Sequence, residues 1–199
     1  MKTILKKEGP LVYKEKGSKF ISFAFNVKNG EEVENRISEI KREFHDATHI
    51  CYAYRIIEDG KEYYRYNDDG EVSGTAGLPI FNEIKAGDLY NILVIVIRYY
   101  GGVKLGKGGL VRAYGGAAKK VLNIAKKTDF FITKELIVKI PFEIIGKILN
   151  IINSRNYHIS ENIPLKSGVK IKLSIPEDET DDFIRILKDI SLGKAELLL

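Results

Sequence analysis

Apolar residues recur along this chain with two periods, and the switches between them outline its elements. Lys19–Val27 alternates in part and is rich in phenylalanine, which predicts a strand; Asn29-Gly30 punctuates it. From Glu31 to Phe44 the residues Val33, Ile37, Ile40 and Phe44 return at helical spacing and share one face, with Glu31 and Glu32 at the positive end of the helix dipole. His49–Glu58 and Glu62–Asn67 read as two strands joined at Asp59-Gly60, a favoured hairpin dipeptide. Ile92–Tyr99 is apolar and β-branched, as expected of a buried central strand, and Gly101-Gly102 ends it. From about Gly108 to Lys126 the helical period returns, with Leu110, Tyr114, Ala117, Val121 and Ile124 or Ala125 on one side.

The segment Asp129–Thr133 marks a boundary, dividing the chain into domains at 1–130 and 131–199. Beyond it, Lys134–Ile140 reads as a strand stopped by Pro141, and Phe142–Ser154 as a helix with Ile144, Ile145, Ile148, Leu149 and Ile152 apolar. Tyr157–Ile163 and Gly168–Ile175 follow as strands. Pro176 opens a helix with Glu177, Asp178 and Glu179 in its first turn and Phe183, Ile184 and Leu187 on its inner face. Lys194–Leu199 closes as a strand. The order β-α-β-β-α-β is the split βαβ, or ferredoxin-like, arrangement, and the whole chain is α+β. About 65–70 residues is near the lower size for an independent domain.

Composition narrows the classes. The chain has 199 residues, 44% hydrophobic and 30% charged, a soluble globular balance. Its longest aliphatic run, Ile92–Ile97, is far short of the roughly 20 residues that span a bilayer, and residues 1–8 do not read as a signal peptide. A single cysteine, Cys51, excludes an internal disulfide framework and an all-cysteine zinc site, so a cytoplasmic location is expected. The net charge is +5 and uneven: residues 131–199 carry 10 basic and 10 acidic side chains, so the excess belongs to the first domain. Nothing from Leu89 to Thr128 is acidic, while Arg98, Lys104, Lys107, Arg112, Lys119, Lys120, Lys126 and Lys127 lie there, which suggests an anionic partner.

Three segments hold candidate chemistry. Arg98–Leu110 follows a strand and opens a helix, so the backbone of Gly106, Gly108 and Gly109 could meet an anion beside Arg98, Lys104, Lys107 and Arg112. Gly101 to Lys107 fits the start of a P-loop, but Gly108 stands where Ser or Thr would hold magnesium, and Val111 breaks the dinucleotide pattern. A glycine-rich connection serving packing alone remains the competing reading. Asp68–Pro79 gathers Asp68, Asp69 and Glu71 with Gly74, Thr75 and Gly77; without calcium-loop spacing, it reads foremost as a hairpin end and a helix start capped by Thr75 or Ser73. His45–Cys51 falls short of a metalloprotease motif and of a zinc ligand set; His49 and Cys51 share a strand face, where a hydrogen-bonded histidine and an inert thiol are expected. Tyrosines such as Tyr52, Tyr63, Tyr64, Tyr66 and Tyr100 could stack on bases, though sheet packing explains most of them.

These segments resemble the YigZ/IMPACT family. The resemblance rests on Ala47–Arg55 with His49 and Cys51, on Asp68-Asp69-Gly70-Glu71 with Gly74-Thr75-Ala76-Gly77, and on Val94–Gly106 with Tyr99, Gly101 and Gly102. The neutral second half looks like the extra domain of the bacterial, two-domain branch. The resemblance implies a first domain like domain IV of elongation factor G and a second like its domain V, hence contact with RNA or the ribosome. Eukaryotic members are regulators of translational control. No cofactor and no metal are expected, and the resemblance carries no catalytic residues. The leading expectation is therefore a non-enzymatic RNA- or ribosome-associated protein. A protein partner in the translation apparatus is a further expectation, and no membrane partner is expected. An enzyme in which the two glycine-rich loops enclose a pocket, with His49 and Asp68, Asp69 or Glu71 as acid–base groups, is the alternative, and a protein-interaction module the third reading.

Overall fold

The computed structural model describes every residue except Asp59 and Leu199, so the expected Asp59-Gly60 turn lies partly outside the described residues. The chain divides into two compact units, Met1–Phe130 and Phe131–Leu199. In the first, the elements run β1 (Lys2–Ile4), β2 (Glu8–Glu15), β3 (Ser18–Asn26), α1 (Gly30–Glu43), β4 (His49–Glu58), β5 (Lys61–Asn67), α2 (Gly77–Ala86), β6 (Ile92–Tyr99), α3 (Gly106–Ile124) and β7 (Lys127–Asp129). Five strands form one antiparallel sheet in the order β2-β3-β6-β4-β5, and β1 pairs with β7 apart from it.

The all-apolar run occupies the middle of that sheet, buried on both faces. Its alternation sorts the two cores: Leu93, Ile95 and Ile97 pack with Val33, Ile37 and Ile40 of α1, while Ile92, Val94 and Val96 pack beneath α2 and α3. Helix α1 starts where Asn29 Oδ1 accepts from the Glu32 N–H at 2.9 Å. On α3, Leu110, Tyr114, Ala117 and Val121 are buried; Ala125, just past its end, is buried while Ile124 is exposed, so the inner stripe closes on Ala125. The helix begins at Gly106, two residues before the sequence expectation.

The second unit runs β8 (Thr133–Pro141), α4 (Phe142–Ser154), β9 (His158–Leu165), β10 (Gly168–Pro176), α5 (Thr180–Ser191) and β11 (Glu196–Leu198). Its sheet order, β11-β8-β10-β9, is the split βαβ topology with every neighbouring pair antiparallel. A 3₁₀ turn at Glu177–Glu179 intervenes where the sequence predicted the first turn of α5 itself. Ile148, Ile152, Phe183 and Leu187 cover one face of the sheet; on the strands, Lys139–Glu196, Lys170–Glu161 and Lys172–Glu135 form ion pairs. Charge is thus balanced pairwise along these strands, and such exposed pairs add little stability, about 0–1 kcal/mol each.

Candidate functional site

Strand alternation continues past the core to one end of the first sheet, and there it places polar groups where apolar ones would be expected. Arg98 follows Val94 and Val96 on the face under α2 and α3, and its register partners are His49 on β4 and Phe20 on β3. Arg98 is 5% exposed. Its guanidinium meets Glu71 Oε1 at 2.5 Å and Ser18 Oγ at 3.3 Å, and its Nε has no hydrogen-bond partner among the described residues. Arg98, expected from the sequence to contact an anion, has its charge matched by a buried carboxylate, and removing either partner would strand the other.

Glu71 is the hub of the cluster. Its side chain is only 5% exposed, and Oε1 receives Arg98, the Tyr114 hydroxyl at 2.8 Å and, at 3.8 Å, faces His49 Nε2. All three approach the same oxygen; Oε2 has no hydrogen bond among the described residues. His49 Nδ1 lies 2.8 Å from the Asp69 carbonyl, which can only accept, so Nδ1 carries the proton. Burial, with the neighbouring Cys51 and Glu71, pushes the Tyr114 hydroxyl well above its ordinary value; burial likewise pushes the Cys51 thiol up, and its S–H points at the Asp68 carbonyl at 3.1 Å. Cys51 is thus a protonated, buried thiol. The roles of Tyr114 and Ser18 were missed by sequence reasoning: Tyr114 counted as part of an apolar helix face and among the tyrosines that could stack on bases, and nothing local ties it to a glutamate 43 positions away.

The aspartates do different work from that expected of acid–base groups. Asp68 Oδ1 accepts from the Ala76 and Gly77 N–H groups at 2.9 and 2.8 Å, and Oδ2 from Gly74 at 2.9 Å. Asp68 thus caps α2, where the sequence pointed to Thr75 or Ser73; Thr75 instead donates its hydroxyl to the Val72 carbonyl. Asp69 Oδ2 accepts from the Ile50 N–H at 2.6 Å. Both carboxylates are engaged by backbone donors, and of the three acids only Glu71 lines the neighbouring cavity.

That cavity, of about 500 Å³, is walled by both glycine-rich connections: Glu71 and Val72 from one, Tyr100, Lys104, Leu105 and Lys107 from the other. Arg98 and Leu110 complete it. Gly101 positions the second connection by close approach; a Cβ there would lie 1.9 Å from the Gly17 carbonyl carbon. Gly102 follows in a left-handed turn, and Gly106, Gly108 and Gly109 form the first turn of α3, which has no acidic residue and no side-chain cap. Lys104, Lys107 and Arg112 are exposed and form no ion pair among the described residues. Arg112 lies outside the cavity, on the groove with Pro79 and Lys119. Of the tyrosines, Tyr52 is buried, Tyr64 stacks on Phe81 at 4.8 Å, and Tyr100, 46% exposed, stands at the cavity. No group of three or more potential metal ligands occurs among the described residues, and no described helix is long and apolar enough to cross a membrane.

The Impact N-terminal domain profile matches residues 16–122, the span holding this whole cluster. IMPACT family member YvyE of Bacillus subtilis is 32% identical over 90% of this chain and 82% of its own length. IMPACT family member YigZ of Escherichia coli is 29% identical over 92% of this chain and 90% of its own. Among solved structures, one titled as that of a hypothetical protein superimposes with a TM-score of 0.70 at 26% identity, covering 99% of this chain and 95% of that one.

Proposed function

This chain belongs to the IMPACT family, and from that premise we propose that it is a non-enzymatic protein that binds RNA, on or off the ribosome, through the β6–α3 connection, and acts on translation. The observation that carries this reading is the uncapped first turn of α3, flanked by the exposed and acid-free Lys104 and Lys107. Unpaired backbone N–H groups, the positive end of a 19-residue helix dipole and two lysines together favour a phosphate. Arg112 on the same helix adds a third cation nearby. The ferredoxin-like order of the second unit fits the proposed likeness to domain V of elongation factor G, and the first unit would correspond to its domain IV.

Contacts of this kind position a strand without reading its sequence, so the affinity should be salt-dependent and weakly specific. Lys104→Ala combined with Lys107→Ala should weaken binding of a single-stranded RNA about tenfold near 100 mM salt and reduce the log–log salt slope by about one to two. The unfolding midpoint should not change. An unaltered slope would remove this connection from the interface.

A further inference from the structure

The phosphate site borders a cavity whose floor a phosphate alone does not explain. The Glu71 side chain is nine-tenths buried and lines the cavity, and its Oε2 makes no hydrogen bond among the described residues. Arg98, equally buried and also lining it, keeps an orphaned Nε–H. Buried polar groups are normally paired, and an ion pair with one buried orphan and one open carboxylate oxygen beside a cavity points to a ligand there. The Glu71–Arg98 pair is neutral overall, so the floor asks for polar donors and acceptors rather than for an ion. The walls are apolar, from Val72, Leu105 and Leu110, with the exposed Tyr100 ring at the side. Uncompensated positive charge is confined to Lys104, Lys107 and the start of α3.

A ligand matched to this order has a polar-edged planar body and an anionic group at one end. We propose that the cavity takes a single nucleotide, either free or as an unstacked residue of an RNA strand. Its base lies against Tyr100 with an amino group on Glu71 Oε2, and its phosphate sits at Lys104, Lys107 and the N-terminus of α3. A cavity of about 500 Å³ has room for a base and its ribose. Stacking on an aromatic ring is sequence-tolerant, whereas the carboxylate oxygen prefers bases that carry an exocyclic amine. Adenine, cytosine and guanine meet that requirement and uracil does not. This inference rests on the RNA reading for the phosphate end, and adds to it an occupant for the cavity.

The test is calorimetric titration of the intact protein with 5′-AMP, 5′-UMP and adenosine, beside a binding curve for single-stranded RNA. AMP should bind at least tenfold more tightly than adenosine, which lacks the phosphate, and several-fold more tightly than UMP. Val72→Trp fills the cavity from an exposed wall without touching the buried pair; it should abolish AMP binding while the unfolding midpoint and the salt slope for RNA stay as they were. Val72→Phe gives a second, smaller filling variant should the first fail to fold. If RNA binds with its salt slope intact but none of the nucleotides binds, the nucleotide pocket is overturned and the RNA reading stands. If AMP binds and RNA does not, the RNA reading is overturned and the pocket stands. Equal affinity for AMP and UMP would overturn the contact with Glu71.

Discussion

The two glycine-rich connections of the first unit both lead into a helix at the same end of the sheet, yet they treat the positive end of that helix in opposite ways. The Asp68–Gly77 connection brings its own anion: the Asp68 carboxylate takes three backbone N–H groups at the start of α2. The Tyr100–Gly106 connection brings cations instead, and α3 starts with no acid in its first turn and no side-chain cap. A helix N-terminus attracts negative charge. Where the chain supplies it, the connection is closed and structural; where the chain withholds it and adds Lys104 and Lys107, the charge must come from solvent or a ligand. Similar composition therefore yields a cap in one case and a candidate site in the other.

The sharpest way to break this contrast is to remove the internal anion. Asp68→Ala leaves three N–H groups at the start of α2 without their acceptor and should cost about 3 kcal/mol of stability, measured by urea unfolding. Asp68→Asn keeps an acceptor oxygen and should recover part of the loss. A loss below about 1 kcal/mol would mean that water replaces the cap. The corresponding change in the other connection, removal of Lys104 and Lys107, is the one expected to alter binding and leave stability alone.

A smaller effect should come from the hinge of the second connection. Gly101 packs backbone to backbone on Gly17, and an added Cβ would approach the Gly17 carbonyl oxygen to 2.1 Å. Gly101→Ala must therefore displace one of the two loops, at about 2 kcal/mol by comparison with other overpacked sites. Because Tyr100 and Lys104 lie just beside it, the same variant should lose RNA affinity together with stability. Loss of stability with full affinity would show that the connection keeps its shape independently of Gly17.

What could be read from the sequence was what depends on local periodicity. The central strand is apolar on both parities, and the α1 and α3 stripes repeat within a few turns, so their inner faces were legible at Val33, Ile37, Leu110 and Tyr114. The ferredoxin-like order followed from the same local signals. Strand β2 was not visible because it is half-exposed, with only Leu11 and Tyr13 packed on the core. The site was legible as a location and illegible as a set of pairings. Asp68 reaches Ala76 across eight positions, past the nearer candidate caps Ser73 and Thr75. Arg98 meets Glu71 across 27 positions, so an acid-free stretch of sequence has an acid at its centre in space. Spacing along the chain gives no measure of such pairings; the registers of β5 on β4 and of β4 on β6 bring Glu71 to Arg98.

The smallest expected effect tests the edge of the open connection, where Tyr99 leaves the sheet. Its hydroxyl donates to Asp46 Oδ1 at 2.7 Å, and this hydrogen bond holds the Asp46 carboxyl below its ordinary value of 3.8. A carboxyl depressed in the folded state contributes stability above its unfolded pKa, and that contribution is lost as pH falls through the folded value. Tyr99→Phe should therefore be slightly less stable than the parent at pH 7, and the difference should shrink below pH 3.8 and vanish once Asp46 is protonated in both states. Thermal unfolding of the two proteins from neutral to acid pH measures it. Asp46 is exposed and its bond to the half-buried Tyr99 lies at the surface, so solvent screens it, and the change at pH 7 should be smaller than that at Asp68 or at Gly101. A Tyr99→Phe penalty that persisted unchanged into acid would assign the tyrosine's role to packing of its ring and leave Asp46 out of it. The open connection would then be held at its start, as at Gly101, by close contact alone, in contrast to the carboxylate that holds its neighbour.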